Sequence, residues 1–251
     1  VKHLIIGSGT VGYATGIWLE ANGEEVVFFD INKNLLDNIL KKGHSVTFTP
    51  HENDASFIWI CTHEKHVPNI VLDYKDTGKY IIVRSTTLPG TIEQLSREHN
   101  ISHIAHNPEF LRATTSIDDM FNPDRIIIGT HCIDTRNKLL NIYSSLHVPK
   151  ICTTPTSSEL IKLIANSWLS TQISFWNEIN NLCHSFKVNH QEIANAVTLD
   201  KRISTYGTRM TGQSFTGACL PKDLMSIILL FNTLNIPSKL FNAIKEINEE
   251  R

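Results

Sequence analysis

The sequence predicts an α/β chain, with a doubly wound parallel sheet over residues 1–155 followed by an all-helical domain over 156–251. Three observations carry this reading. Short β-branched runs alternate with helical patterns through the first part, the cadence of a parallel sheet with crossover helices. Most of those runs are apolar without polar alternation, as expected when helices cover both sheet faces. After Pro155 the texture changes to long segments with a helical apolar period.

In chain order, strands are expected at 3–6, 25–29, 57–61, 80–84, 103–106 and 125–129. The helical part begins with a long segment over 157–187, followed by 190–199, 219–233 and 239–251. Between them, residues 202–218 are rich in Gly, Ser and Thr and have no helical period, so they read as an ordered loop over a site.

Composition narrows the function classes. Basic and acidic residues nearly balance, at a net charge of -2, so nothing points to nucleic acid or a charged membrane surface as partner. The five cysteines are odd in number and follow no zinc-like spacing, which predicts reduced thiols and a cytoplasmic setting. The twelve histidines form no metal cadence, so no metal site is expected. No apolar run reaches membrane-span length and no leader pattern precedes the first strand. Val1 stands directly before a strand and Arg251 ends a helical pattern without a capping glycine, so a trimmed chain is expected.

Gly7-Ser8-Gly9-Thr10-Val11-Gly12 follows the first strand and opens a helix, the Rossmann-like dinucleotide fingerprint. Gly7 permits the tight turn, Gly9 admits a pyrophosphate to the backbone, and Gly12 lets helix and strand pack closely. The phosphates would then rest on helix N-terminal amides. Asp30 ends the second strand, where a carboxylate accepts from a ribose 2′-hydroxyl and repels a 2′-phosphate, so the expected cofactor is NAD.

Ser85-Thr86-Thr87-Leu88-Pro89-Gly90-Thr91 follows the fourth strand, at the sheet edge where open α/β folds bind ligands. Thr86 and Thr62 are therefore candidates for the reacting end of the cofactor, although each alone could equally cap a helix. Asn107-Pro108-Glu109-Phe110-Leu111-Arg112 follows the fifth strand and offers a carboxylate and a guanidinium to a polyhydroxy or phosphorylated substrate. In isolation it could equally be a capped turn with a solvated charge pair. On the long helix, Lys162, Asn166 and Ser170 recur every four residues and share one face. There a lysine and an amide could stabilise a developing oxyanion, the alternative being a surface stripe. Trp168, Phe175 and Trp176 are expected to leave little of that helix to solvent. Cys219 directly precedes Leu220-Pro221-Lys222-Asp223 and the run 224–234, placing a thiol at a helix N-terminus where the dipole favours thiolate. The bland alternative is a small buried hydrophobe.

Together, Gly7-x-Gly9-x-x-Gly12, Asp30, the 85–91 and 107–112 strings, Lys162-x-x-x-Asn166, Phe175-x-Asn177-Glu178 and Cys219-Leu220-Pro221-Lys222-Asp223 resemble the UDP-glucose/GDP-mannose dehydrogenase family. Order and spacing agree along the whole chain, and Asp200-Lys201-Arg202-Ile203 is similar to a segment typical of the UDP-glucose branch. The resemblance implies a four-electron oxidation of a sugar C6 alcohol to a carboxylate with two NAD, through a thiohemiacetal and a thioester on Cys219. By the same resemblance Lys162 and Asn166 stabilise the C6 oxyanion, Asp223 and Thr86 hold or activate water, and Glu109 is a further base. It implies that Val11, Asp30, Thr62, Thr86 and Lys222 contact NAD, with Thr10 in the phosphate turn. Glu109, Phe110, Leu111, Arg112, Thr208 and Gly212 would contact the nucleotide sugar, and Arg202 a neighbouring subunit's site. A homodimer through the helical domain is also implied.

Two departures bear on hydrolysis and substrate geometry. Ala113 stands where the family usually carries a second glutamate, and Thr216 where it carries the first of two glycines. Family members continue into a second α/β domain that grips the nucleotide, so either a missing C-terminal part or a shortened relative is expected. Three rival functions stay open. They are a GDP-mannose enzyme, a β-hydroxyacid dehydrogenase performing one oxidation, which needs no Cys219, and a non-catalytic NAD-binding module.

Overall fold

A computed structural model describes residues 1–217 and 219–250, leaving Ala218 and Arg251 outside the described residues. The chain divides into two compact units, Val1–Lys162 and Leu163–Arg251. The division falls inside a helix, beyond the 155/156 boundary read from the sequence, because the helix that follows the sheet continues without a break for 32 residues.

The first unit holds seven strands: β1 (Lys2–Ile6), β2 (Glu25–Phe29), β3 (Phe57–Ile60), β4 (Tyr80–Val83), β5 (Ile104–His106), β6 (Ile126–Gly129) and β7 (Lys150–Thr153). They lie in the order β2-β1-β3-β4-β5-β6-β7. The fold class is the doubly wound, Rossmann-like one, with alternate strand residues entering opposite cores. Ile5, Phe28, Trp59 and Ile82 pack on one face, and Leu4, Val27, Ile58 and Ile81 on the other. That double burial explains the unbroken apolar runs. Helices α1 (Thr10–Ala21), α2 (Lys33–Lys41), α3 (Val67–Tyr74), α4 (Thr91–His99), α5 (Ser116–Phe121) and α6 (Ile133–Ile142) connect the strands.

Two features depart from the sequence reading. The sheet is mixed, since β6 meets β5 antiparallel through the single pair His106 and Gly129. The connection between the two strands holds the six-residue α5, and β6 then runs back against β5. The seventh strand, β7, escaped detection because its side chains are half-exposed and offer no apolar run. The antiparallel turn has a consequence for the site. Gly129 abuts the start of the next helix, where an added Cβ would come within 2.4 Å of Ser158 Cβ. That helix, α7 (Pro155–Phe186), is thereby delivered to the carboxyl ends of β4 and β5.

In the second unit α7 continues, followed by α8 (His190–Val197), α9 (Leu220–Thr233) and α10 (Lys239–Glu249). Ile173, Phe215, Leu224, Ile227, Ile228 and Ile244 form its core. The loop before α9 contains one short 3-10 turn, Gly207–Met210. Trp176 is buried as expected, but Trp168 is 60% and Phe175 54% exposed. A helix of this length carries two apolar stripes, and only the one bearing Ile173 and Trp176 is covered within the unit.

Gly16 was silent in the sequence, yet α1 crosses β2 there so closely that a Cβ would lie 2.2 Å from the buried Phe28 ring. Gly16→Ala is therefore expected to cost about 1–3 kcal/mol by overpacking, more than the ~1 kcal/mol of helix propensity gained. A lowered thermal unfolding midpoint checks it.

Candidate cofactor and active site

The strand order reverses between β1 and β3, and the turns that follow these two strands face one another. Gly7 has φ +89°, and a Cβ on it would stand 2.7 Å from Cys61 O. A Cβ on Gly12 would lie 1.9 Å from Gly7 O, whereas one on Gly9 would meet nothing within 4 Å. Gly7 and Gly12 are thus demanded by packing, and Gly9 leaves the backbone open to a ligand. Gly9 is the N-cap of α1 and supplies no side-chain cap, and the first turn carries no acidic residue. The N–H groups of Thr10, Val11 and Gly12 begin this helix, the arrangement that favours an anion. Asp30 is held by two backbone donors, Ser8 N to Oδ2 and Asn32 N to Oδ1, both at 2.8 Å.

Gly7, Gly9, Asp30 and Thr62 all line one cavity of about 500 Å³. Its far wall holds His51, His66, Asp73 and Tyr74, with His51 stacked on Tyr74 at 5.4 Å. These four were missed, since nothing local in residues 51–74 marks them as neighbours of the glycine turn. Amide donors for a pyrophosphate and a fixed carboxylate for ribose hydroxyls fit NAD. Thr86 is outside the lining of this cavity.

At the ends of β4 and β5 the first unit assembles a polar cluster. Ser85 Oγ donates to Thr62 O at 2.7 Å, joining the hydroxyl loop to the turn after β3. Lys162 Nζ donates to Glu109 O at 2.7 Å and to Glu109 Oε1 at 3.0 Å, and both side chains are nearly buried. Glu109 Oε2 accepts from Leu111 N at 2.6 Å. The Phe110 ring takes Arg125 at 3.9 Å and Lys162 at 5.3 Å. Arg112, proposed from sequence for substrate, is engaged by Asp119, whose carboxyl its guanidinium holds down at about 2.

Behind this cluster lies a network the sequence did not reveal. Arg84 Nη1 donates to Asn107 Oδ1 at 2.6 Å and to Tyr143 Oη at 2.9 Å, and Tyr143 Oη donates to the same Asn107 oxygen at 2.6 Å. Asn107 is thereby fixed two residues before Glu109. Burial holds His106 down at about 3, so its ring is neutral. It contacts Ser158 Oγ at 2.9 Å and Ser85 O at 3.3 Å.

The second unit carries the thiol. Cys219 is the N-cap of α9 and is exposed. Asp223, one turn on, donates its N–H to Cys219 O at 2.9 Å. Its buried carboxylate accepts from Asn166 Nδ2 at 2.5 Å and lies 3.0 Å from Lys222 Nζ. By contrast, burial pushes the Cys61 thiol up to about 12. The loop ahead of Cys219 is held from two helices. Asn177 accepts from Gly212 N at 2.7 Å and donates to Gln213 O at 2.9 Å. Asn248 accepts from Phe215 N at 2.7 Å and donates to Phe215 O at 3.2 Å. Thr208 is buried and donates to Thr205 O at 2.8 Å. Ser170 donates to Asn166 O at 3.1 Å. Arg202 is highly exposed and pairs with Asp200 in its own loop.

Residues 49–147 match the NAD binding domain of the UDP-glucose/GDP-mannose dehydrogenase family, and residues 156–250 match its central domain. The chain belongs to this family. UDP-glucose 6-dehydrogenase of Rickettsia typhi is 31% identical over 288 residues, 98% of this chain and 66% of that protein. The Bacillus subtilis UDP-glucose 6-dehydrogenase YwqF is 30% identical over 291 residues with the same shares. The chain thus spans about two thirds of the length of these curated relatives. Among solved structures, the UDP-glucose dehydrogenase of Pyrobaculum islandicum superposes with a TM-score of 0.90 at 26% identity, over 99% of this chain and 68% of that one. The GDP-mannose dehydrogenase of Pseudomonas aeruginosa gives 0.71 at 25%, with the same shares. The family's NAD binding domain and the Asp30 carboxylate agree on NAD as cofactor.

NAD is expected to bind at least ~10-fold more tightly than NADP, because a 2′-phosphate would meet the fixed Asp30 carboxylate. Calorimetric titration with both cofactors measures the ratio, and Asp30→Ala should narrow it.

Proposed function

We propose that the chain serves NAD-dependent oxidation of a nucleotide sugar at C6, UDP-glucose to UDP-glucuronate, in two hydride transfers. The observation that carries the reading is Cys219, an exposed thiol on the N-terminus of α9, backed one turn on by a buried Asp223. A single alcohol oxidation has no use for that thiol. NAD, when bound, supplies the hydride acceptor for both steps.

The roles of the chain's own residues follow from chemistry. In the first oxidation C6 loses a hydride and its hydroxyl a proton. Lys162, with one N–H beyond its two bonds to Glu109, and Asn166 stabilise the negative charge on the oxygen. The Cys219 thiolate then adds to the aldehyde carbon, giving a thiohemiacetal that loses the second hydride and becomes a thioester. Water attacks the thioester, releasing the carboxylate and the free thiol, with Asp223, Thr86 and Glu109 as the groups that hold the water or take its proton. Val11, Thr62 and Lys222 contribute to cofactor contacts. Phe110, Leu111, Arg112, Thr208 and Gly212 form substrate contacts, and Arg202 acts at the site of a neighbouring copy. Ala113 and Thr216 set this chain apart from the family pattern and slow thioester hydrolysis.

The test is intact-mass spectrometry after incubation with NAD and UDP-glucose. A sugar adduct on Cys219 and two NADH per sugar are expected, and Cys219→Ser should form no adduct. NADH release that is unchanged in Cys219→Ser would remove the covalent route.

We also propose a homodimer formed through the helical unit. Ile164, Trp168, Phe175, Leu182 and Phe186 are exposed along α7 at spacings of four and seven residues, a single apolar stripe. Trp168→Glu with Phe175→Glu is expected to convert the dimer to monomer in sedimentation velocity, while NAD affinity is retained.

A further inference from the structure

Glu159 is fully buried in the first turns of α7, and neither the cofactor pocket nor the Glu109–Lys162 pair uses it. Its Oε1 accepts from Thr87 Oγ1 at 2.8 Å and from Ile92 N at 3.1 Å, and its Oε2 accepts from Gly90 N at 2.7 Å. All three donors belong to the hydroxyl loop and the start of α4. The N-cap of α4 is Gly90, in the left-handed region at φ +94°, and it has no side chain with which to cap the helix. A carboxylate from a helix almost seventy positions away supplies the cap instead. The same loop is anchored at its other end, where Ser85 Oγ donates to Thr62 O. Thr86 sits between the two anchors.

We propose that Glu159 is a positioning residue, whose ionised carboxylate seats the 85–91 loop and so sets Thr86 for the cofactor. This rests on the cofactor reading given above. The bonding pattern favours the ionised form, because two of the three donors are backbone N–H groups that cannot reverse, and a carboxylate accepts from them more strongly than a neutral carboxyl. On protonation only the Thr87 hydroxyl could turn to accept. Burial opposes that charge and pushes the Glu159 carboxyl up to about 7. The clamp therefore loosens as pH falls through neutrality.

The charged groups around it are few among the described residues. Glu93 on α4 raises the Glu159 pKa further and is itself held by His131 at 3.1 Å. Lys162, one turn along α7, is paired with Glu109, and His106, bonded to Ser158, stays neutral. The cofactor pocket itself is lined by three imidazoles, His51, His63 and His66. Folding stability runs opposite to the clamp. A buried acid with its pKa raised from 4.5 to about 7 stabilises the fold when protonated, and that contribution is lost as pH rises through about 7.

The test is NADH titration of the wild-type chain and Glu159→Gln across pH, with amide hydrogen exchange on both. At about pH 8, Glu159→Gln should bind NADH about tenfold more weakly, the scale of one lost charge-assisted hydrogen bond. At acid pH the two should converge, and the wild-type stability decline with rising pH should be absent from the variant. Equal affinities at alkaline pH, or parallel pH profiles, would overturn the proposal. A chain that folds but binds no NADH would refute the cofactor reading instead. In that case faster exchange at Gly90 and Ile92 in Glu159→Gln would still support the clamp, and unchanged exchange would reject it.

Discussion

The polar face of α7 has to be satisfied without water, and much of the site follows from how that is done. A buried polar group without a partner costs more than most single contacts return. Ser158, Glu159, Lys162, Asn166 and Asn177 are all buried on this helix. In the first unit, Ser158 bonds His106, Glu159 bonds Thr87, Gly90 and Ile92, and Lys162 bonds Glu109. In the second, Asn166 bonds Asp223, and Asn177 bonds Gly212 and Gln213. Apart from His106, which ends β5, each partner lies on a loop or helix terminus that carries a candidate functional residue. Within each unit, the bonds that satisfy these five side chains also order segments that carry candidate residues.

The electrostatics of the first unit have a related logic. Arg84 is a buried guanidinium bonded to neutral groups, Asn107 and Tyr143, rather than to a carboxylate. Its charge and that of Lys162 both help hold the His106 pKa down, while Glu109 is committed to Lys162. At the carboxyl ends of β4 and β5 the Arg84 charge thus has only neutral hydrogen-bond partners, while that of Lys162 is matched by Glu109. The arrangement draws on residues from a strand, two loops, a 3-10 turn and a helix.

The sequence disclosed the parts of the site that depend on near neighbours. Gly7, Gly9 and Gly12 declare a turn and a helix start, Asp30 declares a strand end, and Pro221 with the following apolar run places Cys219 at an N-cap. Lys162, Asn166 and Ser170 declare a common helix face, and all three are buried. Each rests on backbone geometry and periodicity within a turn or two, which a single sequence carries.

Tertiary structure decided what depends on distant pairing. The reversal of β6 and the packing of Gly129 on Ser158 leave no periodic trace in the sequence. The exposed stripe with Trp168 and Phe175 could not be told from a buried one, because apolar periodicity reports a face and not what covers it. The cap on α4 comes from Glu159, 69 positions from Gly90, which no local pattern of Ser and Thr announces. Arg84, Asn107 and Tyr143 meet across separations of 23 to 59 residues. Local sequence determines where a helix starts and which way a side chain faces. Which partner satisfies that side chain is settled only when distant segments are packed together and water is excluded.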